Sequence, residues 1–251
     1  FDPRIDSDSR KRAANIVRIV ADRIAARVPE LDVVFSKTLV DGEIQADIVA
    51  KSFLKSGVKM LVLAPDTWAF PQLSAISLLQ QFPSDTPFNI TCGNSGPKPG
   101  VVFAHALNGA LAQYGRLAHL NVGSWPDTGL EPEMTKQTEN DLIEWVWAAK
   151  TAVSLRGKRI VVFGHDSMGM ETALAHVIAT RDKYGIEITR LDMKLLADML
   201  SKKAYNEREL KKLRAWIDQH LGKRLEVPTE ADSFRFNQSL AMYLILRDLI
   251  K

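Results

Sequence analysis

The stretch that decides the fold is KMLVLAP, at residues 59–65. Its central residues are apolar without alternation, which predicts a strand buried on both faces. Short apolar stretches also occur at residues 88–93, 117–122 and 159–163, and helix-like apolar periodicity separates them. Strands that alternate with helices predict a parallel sheet covered by helices on both faces. The expected fold class is therefore α/β.

The chain is long enough for two domains of modest size. We expect two consecutive doubly wound domains of mostly parallel sheet, of the Rossmann or flavodoxin type. The first covers residues 1–155, and the second covers residues 156–251 and is incomplete, because it lacks its C-terminal part. A long helix from Glu131 to about Leu155 is interpreted as the connector between them.

Residues 32–36, DVVFS, predict one more strand in the first domain. A doubly wound sheet usually keeps its first strand in the middle. Here the first predicted helix already starts at Ser7, with almost nothing before it. If that strand belongs to an N-terminal segment missing from this sequence, a buried slot is expected to lie open.

Composition narrows the class of protein. Hydrophobic residues make up 46% and charged residues 25%, as in ordinary soluble globular proteins. The net charge of +3 does not favour a nucleic-acid partner. A single cysteine, Cys92, cannot form an internal disulfide and fits a reducing compartment. No apolar run has membrane-spanning length and no signal peptide opens the chain, so we expect a cytoplasmic protein without a membrane partner.

One predicted ligand-facing loop is GHDSMG, at residues 164–169, directly after the strand at 159–163. In α/β proteins ligands bind beyond the carboxyl ends of strands, often facing a helix N-terminus. The loop lacks the phosphate-binding lysine and the three-glycine dinucleotide pattern. A polar contact to substrate and a solvated histidine remain equal alternatives for His165. The candidate binding residues here are His165, Asp166, Ser167, which could also cap a helix, and Met168.

A second candidate loop is PDTWAF, at residues 65–70, which follows the buried strand. Trp68 could stack on the apolar face of a sugar while Asp66 accepts hydrogen bonds from sugar hydroxyls. The alternative is that Trp68 only packs the loop against the next helix. Both interpretations stay open from the sequence.

The five histidines show no metal-ligand spacing. We interpret His105 and His176 as packing residues in apolar helical stretches. His119 begins a predicted strand, and His220 closes a predicted helix, where a cation is favourable. No catalytic residue and no metal ligand is predicted within this chain.

Several segments, in order, resemble the first two domains of L-fucose isomerase and its D-arabinose isomerase relatives. Pro3-x-Ile5-Asp6 is similar to the exit of that family's first strand. Pro65-x-x-Trp68-x-Phe70 is similar to a turn that reads PCWCY in the family. Further similar segments are Pro99-Gly100-Val101-Val102-Phe103, Arg156-Gly157-Lys158, Ser167-Met168-Gly169-Met170, Leu191-Asp192-Met193 and Arg247-Asp248-Leu249.

The resemblance implies an aldose–ketose isomerase of carbohydrate metabolism that acts on a sugar such as L-fucose or D-arabinose. It implies ene-diolate proton transfer with a divalent metal, usually Mn²⁺, whose ligands and partner carboxylates lie beyond this chain. It also implies a homo-oligomer, a trimer or hexamer, and an inactive fragment on its own. Thr67 and Ala69 replace family cysteines, and His165-Asp166 replaces small residues. A non-catalytic sugar- or nucleotide-binding α/β module is the alternative.

Overall fold

The structure is a computed structural model. It forms two compact units, Phe1–Ser154 and Leu155–Lys251. The predicted α/β class is confirmed, because the described strands pair in parallel and alternate with helices. The residues that the structure describes are 6–93, 100–126, 129–165, 170, 172, 174–227 and 229–250.

The first unit contains a three-stranded parallel sheet in the order β1-β2-β3. The register pairs Leu61 with Phe88 and Asn89 with His119. In chain order its elements are α1 Ser7–Arg27, α2 Glu43–Lys55, β1 Leu61–Leu63, a π-helical segment Gln72–Ile76 that continues into α3 Ser77–Leu79, β2 Phe88–Gly93, α4 Val101–Gln113, β3 His119–Gly123 and α5 Lys136–Leu155.

Helices cover both faces of this sheet. Because side chains alternate along a strand, Leu61 and Leu63 face one layer and Val62 faces the other. The first layer is an apolar cluster with α2, α3 and α4, which includes Ala50, Leu79, Phe103 and Leu107. The second layer joins α1 and α5 through Ile16, Val20, Ile24, Leu142, Ile143 and Val146. The architecture is therefore a three-layer α/β/α sandwich.

Polar side chains lie buried on the face of the sheet that α5 covers. Asn89 and Thr91 on β2 and Asn121 on β3 are almost fully buried. Thr91 Oγ1 donates a hydrogen bond to Asn89 Oδ1, and Asn121 Nδ2 donates to the carbonyl of Thr138 on α5 at 3.0 Å. Asn89 Nδ2 lies 3.0 Å from His119 Nδ1. These groups satisfy one another, as buried polar groups generally must.

The predicted strand at residues 32–36 is wrong. Residues 31–40 form no strand, and among the described residues β1 pairs with β2 alone. A cavity of about 420 Å³ adjoins β1 and residues 31–40 and is lined mainly by apolar side chains. A strand needs a hydrogen-bonded neighbour, and a cavity lies where that neighbour would be.

Helix α5 begins later than predicted, at Lys136 instead of Glu131. The carbonyl of Thr135 accepts the bond from the Glu139 N–H at 2.9 Å, and Thr135 Oγ1 lies 2.9 Å from Thr138 Oγ1. Thr135 thus occupies the capping position that hydroxyl residues favour. The apolar face of α5 packs within the first unit, and the helix ends where the second unit begins.

The second unit contains a two-stranded parallel sheet, with Ile160 opposite Ile188. Gly185 ends one helix in the left-handed conformation, at φ +66°. The elements are β4 Arg159–Phe163, α6 Val177–Tyr184, β5 Glu187–Leu191, α7 Met193–Ser201, α8 Glu207–Leu221, a 3₁₀ turn Gly222–Arg224 and α9 Glu230–Ile250.

Two histidine interpretations need correction. His176 is exposed and precedes α6, and its Nδ1 accepts a hydrogen bond from the Ala179 N–H at 3.0 Å. It is therefore a helix cap, and α6 starts at the next residue, Val177. His105 lies on the exposed side of α4. The start of β3 at His119 and the position of His220 in the last turn of α8 are confirmed.

No described helix combines the length and the apolar character needed to cross a membrane.

Candidate functional site

The carboxyl edge of the first sheet brings together the turn after β1, the start of α4 and the loop after β3. Gly100 is the N-cap residue of α4, and a Cβ there would collide with the carbonyl oxygen of Pro65. Only glycine allows the two backbones to approach this closely. The start of α4 therefore lies directly against the turn that carries Asp66 and Trp68.

Arg12 of α1 fixes Asp66 in place. Its Nε donates to both carboxylate oxygens, at 3.1 and 3.0 Å, and each side chain is only 14% exposed. Its Nη1 donates to the carbonyl of Gly129, after β3, at 2.7 Å. A single guanidinium thus joins the loops of two strands, with Nε shared between both carboxylate oxygens.

Two further side chains of α1 continue this contact with the loop after β3. Asn15 Nδ2 donates to the Leu130 carbonyl at 2.9 Å, and Arg18 lies 3.2 Å from the Glu131 carboxylate. Arg12, Asn15 and Arg18 are three residues apart, so they share one side of the helix. That side holds the edge together.

Trp68 is half-buried in an aromatic cluster. Its ring meets Phe70 edge-on at 6.2 Å and Phe103 of α4 at 6.3 Å, with interplanar angles of 80° and 85°. T-shaped contacts of this kind are favourable and orient the ring. The contact with Phe103 supports the interpretation that Trp68 packs against the next helix. The Trp68 ring is nevertheless partly exposed, so aromatic surface remains accessible at the carboxyl edge.

Buried groups lie beneath the turn. Thr67 Oγ1 is buried, and no described residue gives it a hydrogen-bond partner. Trp125, two residues past the end of β3, is 2% exposed, and a Cβ at Gly93 would lie 2.8 Å from the Trp125 Cβ. Together with Arg12 and Asp66, Trp125 and Gly93 line a narrow cleft at the carboxyl edge that has no room for a water molecule.

Cys92 also lines this cleft but is not an activated nucleophile. Burial raises the pKa of its thiol from 9.0 to about 12. Since the thiolate is the reactive species, the thiol is inert near neutral pH.

In the second unit, His165 is exposed and lies just beyond the carboxyl end of β4. The preceding Gly164 has φ +79°, and its N–H donates to the Leu191 carbonyl at 2.9 Å. A Cβ at Gly164 would lie 2.8 Å from the Met193 side chain, so glycine is required there. The other predicted residues of this loop, Asp166, Ser167 and Met168, lie outside the described residues.

Of the six predicted binding residues, Asp66 and Trp68 lie in one turn of the first unit, and the other four belong to the second unit. Sequence reasoning missed Arg12 and Trp125. The signal for Arg12 was the polar row at three-residue spacing on a helix with an apolar stripe. The signal for Trp125 was a tryptophan just past a strand end, the same pattern that indicated Trp68.

The described residues include no group of three or more His, Cys, Asp or Glu side chains placed to hold a metal ion. Asp66, the carboxylate nearest the cleft, is bound by the Arg12 cation. Its surroundings therefore favour a fixed hydrogen-bond acceptor over a metal ligand.

The fold is that of α/β proteins, which generally bind small ligands at the carboxyl edge of the sheet. Residues 1–157 match the family model for L-fucose isomerase, first N-terminal domain. The chain therefore belongs to the L-fucose isomerase family, as the sequence resemblance predicted.

Curated relatives agree with this assignment. The chain is similar to the L-fucose isomerases of Escherichia coli O1:K1 / APEC, Escherichia coli O139:H28 (strain E24377A / ETEC) and Escherichia coli (strain K12 / DH10B). Each is 22% identical over 228 residues, which cover 88% of this chain and 38% of the relative. The chain thus spans about two fifths of the length of the curated relatives it matches.

Proposed function

We propose that this chain is the N-terminal part of a metal-dependent aldose–ketose isomerase that acts on a sugar such as L-fucose or D-arabinose. The family match over residues 1–157 carries the proposal. The turn with Asp66 and Trp68 supports it, since aromatic and carboxylate groups are typical of sugar sites. Such an enzyme of sugar metabolism would work in the cytoplasm.

In this proposal the chain binds and orients substrate, and the chemistry takes place elsewhere in the full-length protein. Isomerisation would move a proton between C1 and C2 of the sugar through an ene-diolate. The described residues do not fit a Mn²⁺ site, so we assign the metal and the proton-transfer carboxylates to the part of the protein that corresponds to the remaining length of the relatives.

The proposed sugar contacts follow from the geometry of the turn. Trp68 is oriented by its two ring contacts and would stack on the apolar face of the sugar. Asp66 is held by Arg12 and would accept hydrogen bonds from sugar hydroxyls. His165, Asp166, Ser167 and Met168 stay candidate sugar-binding residues of the second unit. Assembly as a homo-oligomer, a trimer or hexamer, would let Trp68 serve the active site of a neighbouring subunit.

An assay of the full-length protein with added Mn²⁺ tests the proposal. We expect it to convert L-fucose, D-arabinose or a related aldose to the ketose, and we expect residues 1–251 alone to be inactive. If no aldose is converted but a sugar still raises the melting temperature, the binding-module alternative is correct. Activity of residues 1–251 would refute the placement of the metal.

The role of Trp68 has its own test in the same protein. Trp68→Ala should lower kcat/KM about three- to tenfold, mainly through KM, because it removes an aromatic contact worth about 1 kcal/mol. Trp147→Ala is the matched control, since Trp147 is 39% exposed on α5, where Lys150 covers its ring. Kinetics measured well below the melting temperatures of both variants distinguish a loss of substrate binding from a loss of folding stability. Equal kinetics for the two variants would remove Trp68 from the sugar site.

A further inference from the structure

The outer face of α4 carries no charged residue although it is exposed. The helix, Val101–Gln113, contains no Asp, Glu, Lys or Arg. Its inner side, which includes Phe103 and Leu107, belongs to the first apolar cluster and packs on β2 and β3. The exposed residues recur at every third or fourth position, so they share one side of the helix. We call this side the α4 face, and it consists of Val102, His105, Ala106, Gly109, Ala112 and Gln113.

The other long helices of the first unit have charged outer faces. Exposed charged residues on them include Lys11 of α1, Lys51 of α2 and Glu144 of α5. The solvated side of a surface helix usually carries such residues. Depletion of charge is instead typical of the core of a protein–protein interface. The composition of the α4 face therefore indicates a surface that a partner covers.

Large apolar side chains lie at the two ends of α4. Val102 is 59% exposed in its first turn, and Tyr114 and Leu117 are 60% and 91% exposed just after its last turn. The middle of the α4 face has only small side chains, at Ala106 and Gly109. A Cβ at Gly109 would meet nothing within 4 Å. The face is thus low in the middle, and its ends offer apolar contacts to a partner.

Arg116, the cation that follows α4 in the sequence, does not add charge to this surface. Its guanidinium donates to the carbonyls of Leu79 and Phe82 at 2.7 and 2.8 Å. A strongly acidic or basic partner would therefore find no opposite charge on the α4 face. Because an unpaired charge is costly to bury, the face fits a partner surface that is itself uncharged.

A second copy of the same chain supplies such a surface. In an antiparallel pair of α4 helices related by a twofold axis, Ala106 and Gly109 of both copies would face each other. Side chains this small allow a short distance between the helix axes. Val102 of each copy would then lie toward the end of the other helix that carries Tyr114. A twofold contact requires a self-complementary patch of this kind.

We propose that the α4 face is a twofold interface between two copies of this chain, with the axis near Ala106 and Gly109. The inference gives a contact surface to the homo-oligomer proposed above, and it depends neither on the sugar nor on the reaction. A hexamer of two trimers contains twofold axes, whereas a single trimer contains none. Of the two assemblies, the proposal therefore selects the hexamer.

A charge in the middle of the α4 face tests the proposal. In the full-length protein, Ala106→Glu should halve the mass of the assembly, because like charges would be buried beside the axis. Sedimentation velocity measures this mass. Ala148→Glu is the matched control, since Ala148 is an exposed alanine of another helix, α5, and it should leave the mass unchanged. Both variants should keep the circular dichroism spectrum of the unsubstituted protein, because both positions are exposed in the single chain.

A mixture of two variants then tests the twofold axis. Ala106→Lys alone should also halve the mass, but mixing it with Ala106→Glu should restore the full mass, because opposite charges then meet across the axis. An unsubstituted protein with an odd number of subunits would overturn the proposal. Full mass for Ala106→Glu, or a mixture that stays at half mass, would overturn it as well. Isomerase activity is not measured here, so the enzymatic proposal can fail while this one holds, and the reverse.

Discussion

At the scale of single residues, Gly100 determines how closely α4 approaches the turn that carries Asp66 and Trp68. Gly100→Ala places a methyl group against the Pro65 carbonyl, which is backbone and cannot rotate away. We expect a loss of about 1–3 kcal/mol in the free energy of unfolding, as for other overpacked sites. Urea denaturation followed by circular dichroism measures this change.

Gly109→Ala is the matched control in the same helix. A Cβ at Gly109 meets nothing within 4 Å, and alanine is the better helix former. The control should therefore gain about 0.5–1 kcal/mol. If both variants lose stability, the contact at Pro65 is not what constrains residue 100.

Cys92 gives a prediction about pH. Burial raises the pKa of its thiol from 9.0 to about 12, so the folded state keeps a proton that the unfolded chain releases. The contribution of Cys92 to stability is complete below pH 9 and is lost as pH rises from 9 toward 12, by up to about 1.4 kcal/mol per unit.

The measurement compares the free energy of unfolding of the protein and of Cys92→Ala at pH 7, 9 and 10. The two free energies should differ most at pH 7 and converge as pH rises, because only the protein with Cys92 loses the thiol contribution. Cys92 should also resist thiol reagents until the protein unfolds. Rapid labelling of the native protein would contradict its burial.

At the scale of elements, α1 holds the carboxyl edge through Arg12. Arg12→Met leaves Asp66, only 14% exposed, without its guanidinium partner and frees the Gly129 carbonyl from that bond. We expect a loss of about 1–3 kcal/mol in the free energy of unfolding, since hydrogen bonds to charged groups are strong and an uncompensated charge is costly.

Arg18→Met is the control for this prediction. The Arg18 side chain is 44% exposed, and its two carboxylate partners are more exposed still. Removing Arg18 should therefore cost about 0.5 kcal/mol or less in the free energy of unfolding. In the Arg12→Met background, adding Asp66→Asn should recover part of the lost stability. In the unsubstituted protein, Asp66→Asn should lower the free energy of unfolding. Independent effects of the two substitutions would show that the pair does not act as a unit.

The elements that the sequence predicted well carry their own boundary signals. Helix α2, for example, has an apolar stripe and is followed by Gly57 at φ +70°, and both signals are visible in the sequence. The start of α6 was missed, because His176 is an unusual cap. The strand at 32–36 was wrong because pairing is a tertiary property that local composition does not contain.

The sequence predicted only part of the candidate site. Asp66 and Trp68 follow a strand, so their place at the carboxyl edge was predictable. Their partners Arg12 and Phe103 lie far away in sequence on two helices, and helix orientation does not follow from a local pattern. The ion pair of Asp66 and the ring contacts of Trp68 therefore required the structure.

At the scale of the whole molecule, the two units differ in how much apolar surface they bury. Two clusters fill the first unit. The buried apolar residues among the described part of the second unit are Leu196, Leu240, Ala241, Leu244 and Ile245. Since burial of apolar surface drives folding, the second unit of the 251-residue chain should be the less stable one.

Hydrogen exchange followed by mass spectrometry checks this prediction. Peptides from β4, β5 and α8 should exchange at least about tenfold faster than peptides from β2, because local stability sets protection. Heating should give two transitions, with the second unit unfolding first. One transition with uniform protection would show that the units fold as a single cooperative body.

The polar side chains beneath α5 have a consequence for how the chain finds its alignment. Asn89 lies opposite His119 and Thr91 opposite Asn121. A shift of β3 by one residue would turn Asn121 into the apolar layer of Ile90 and Cys92 and leave its amide without the Thr138 carbonyl. Apolar strands alone would tolerate several alignments. The buried amides are satisfied in only one register, so they select the correct pairing of the strands.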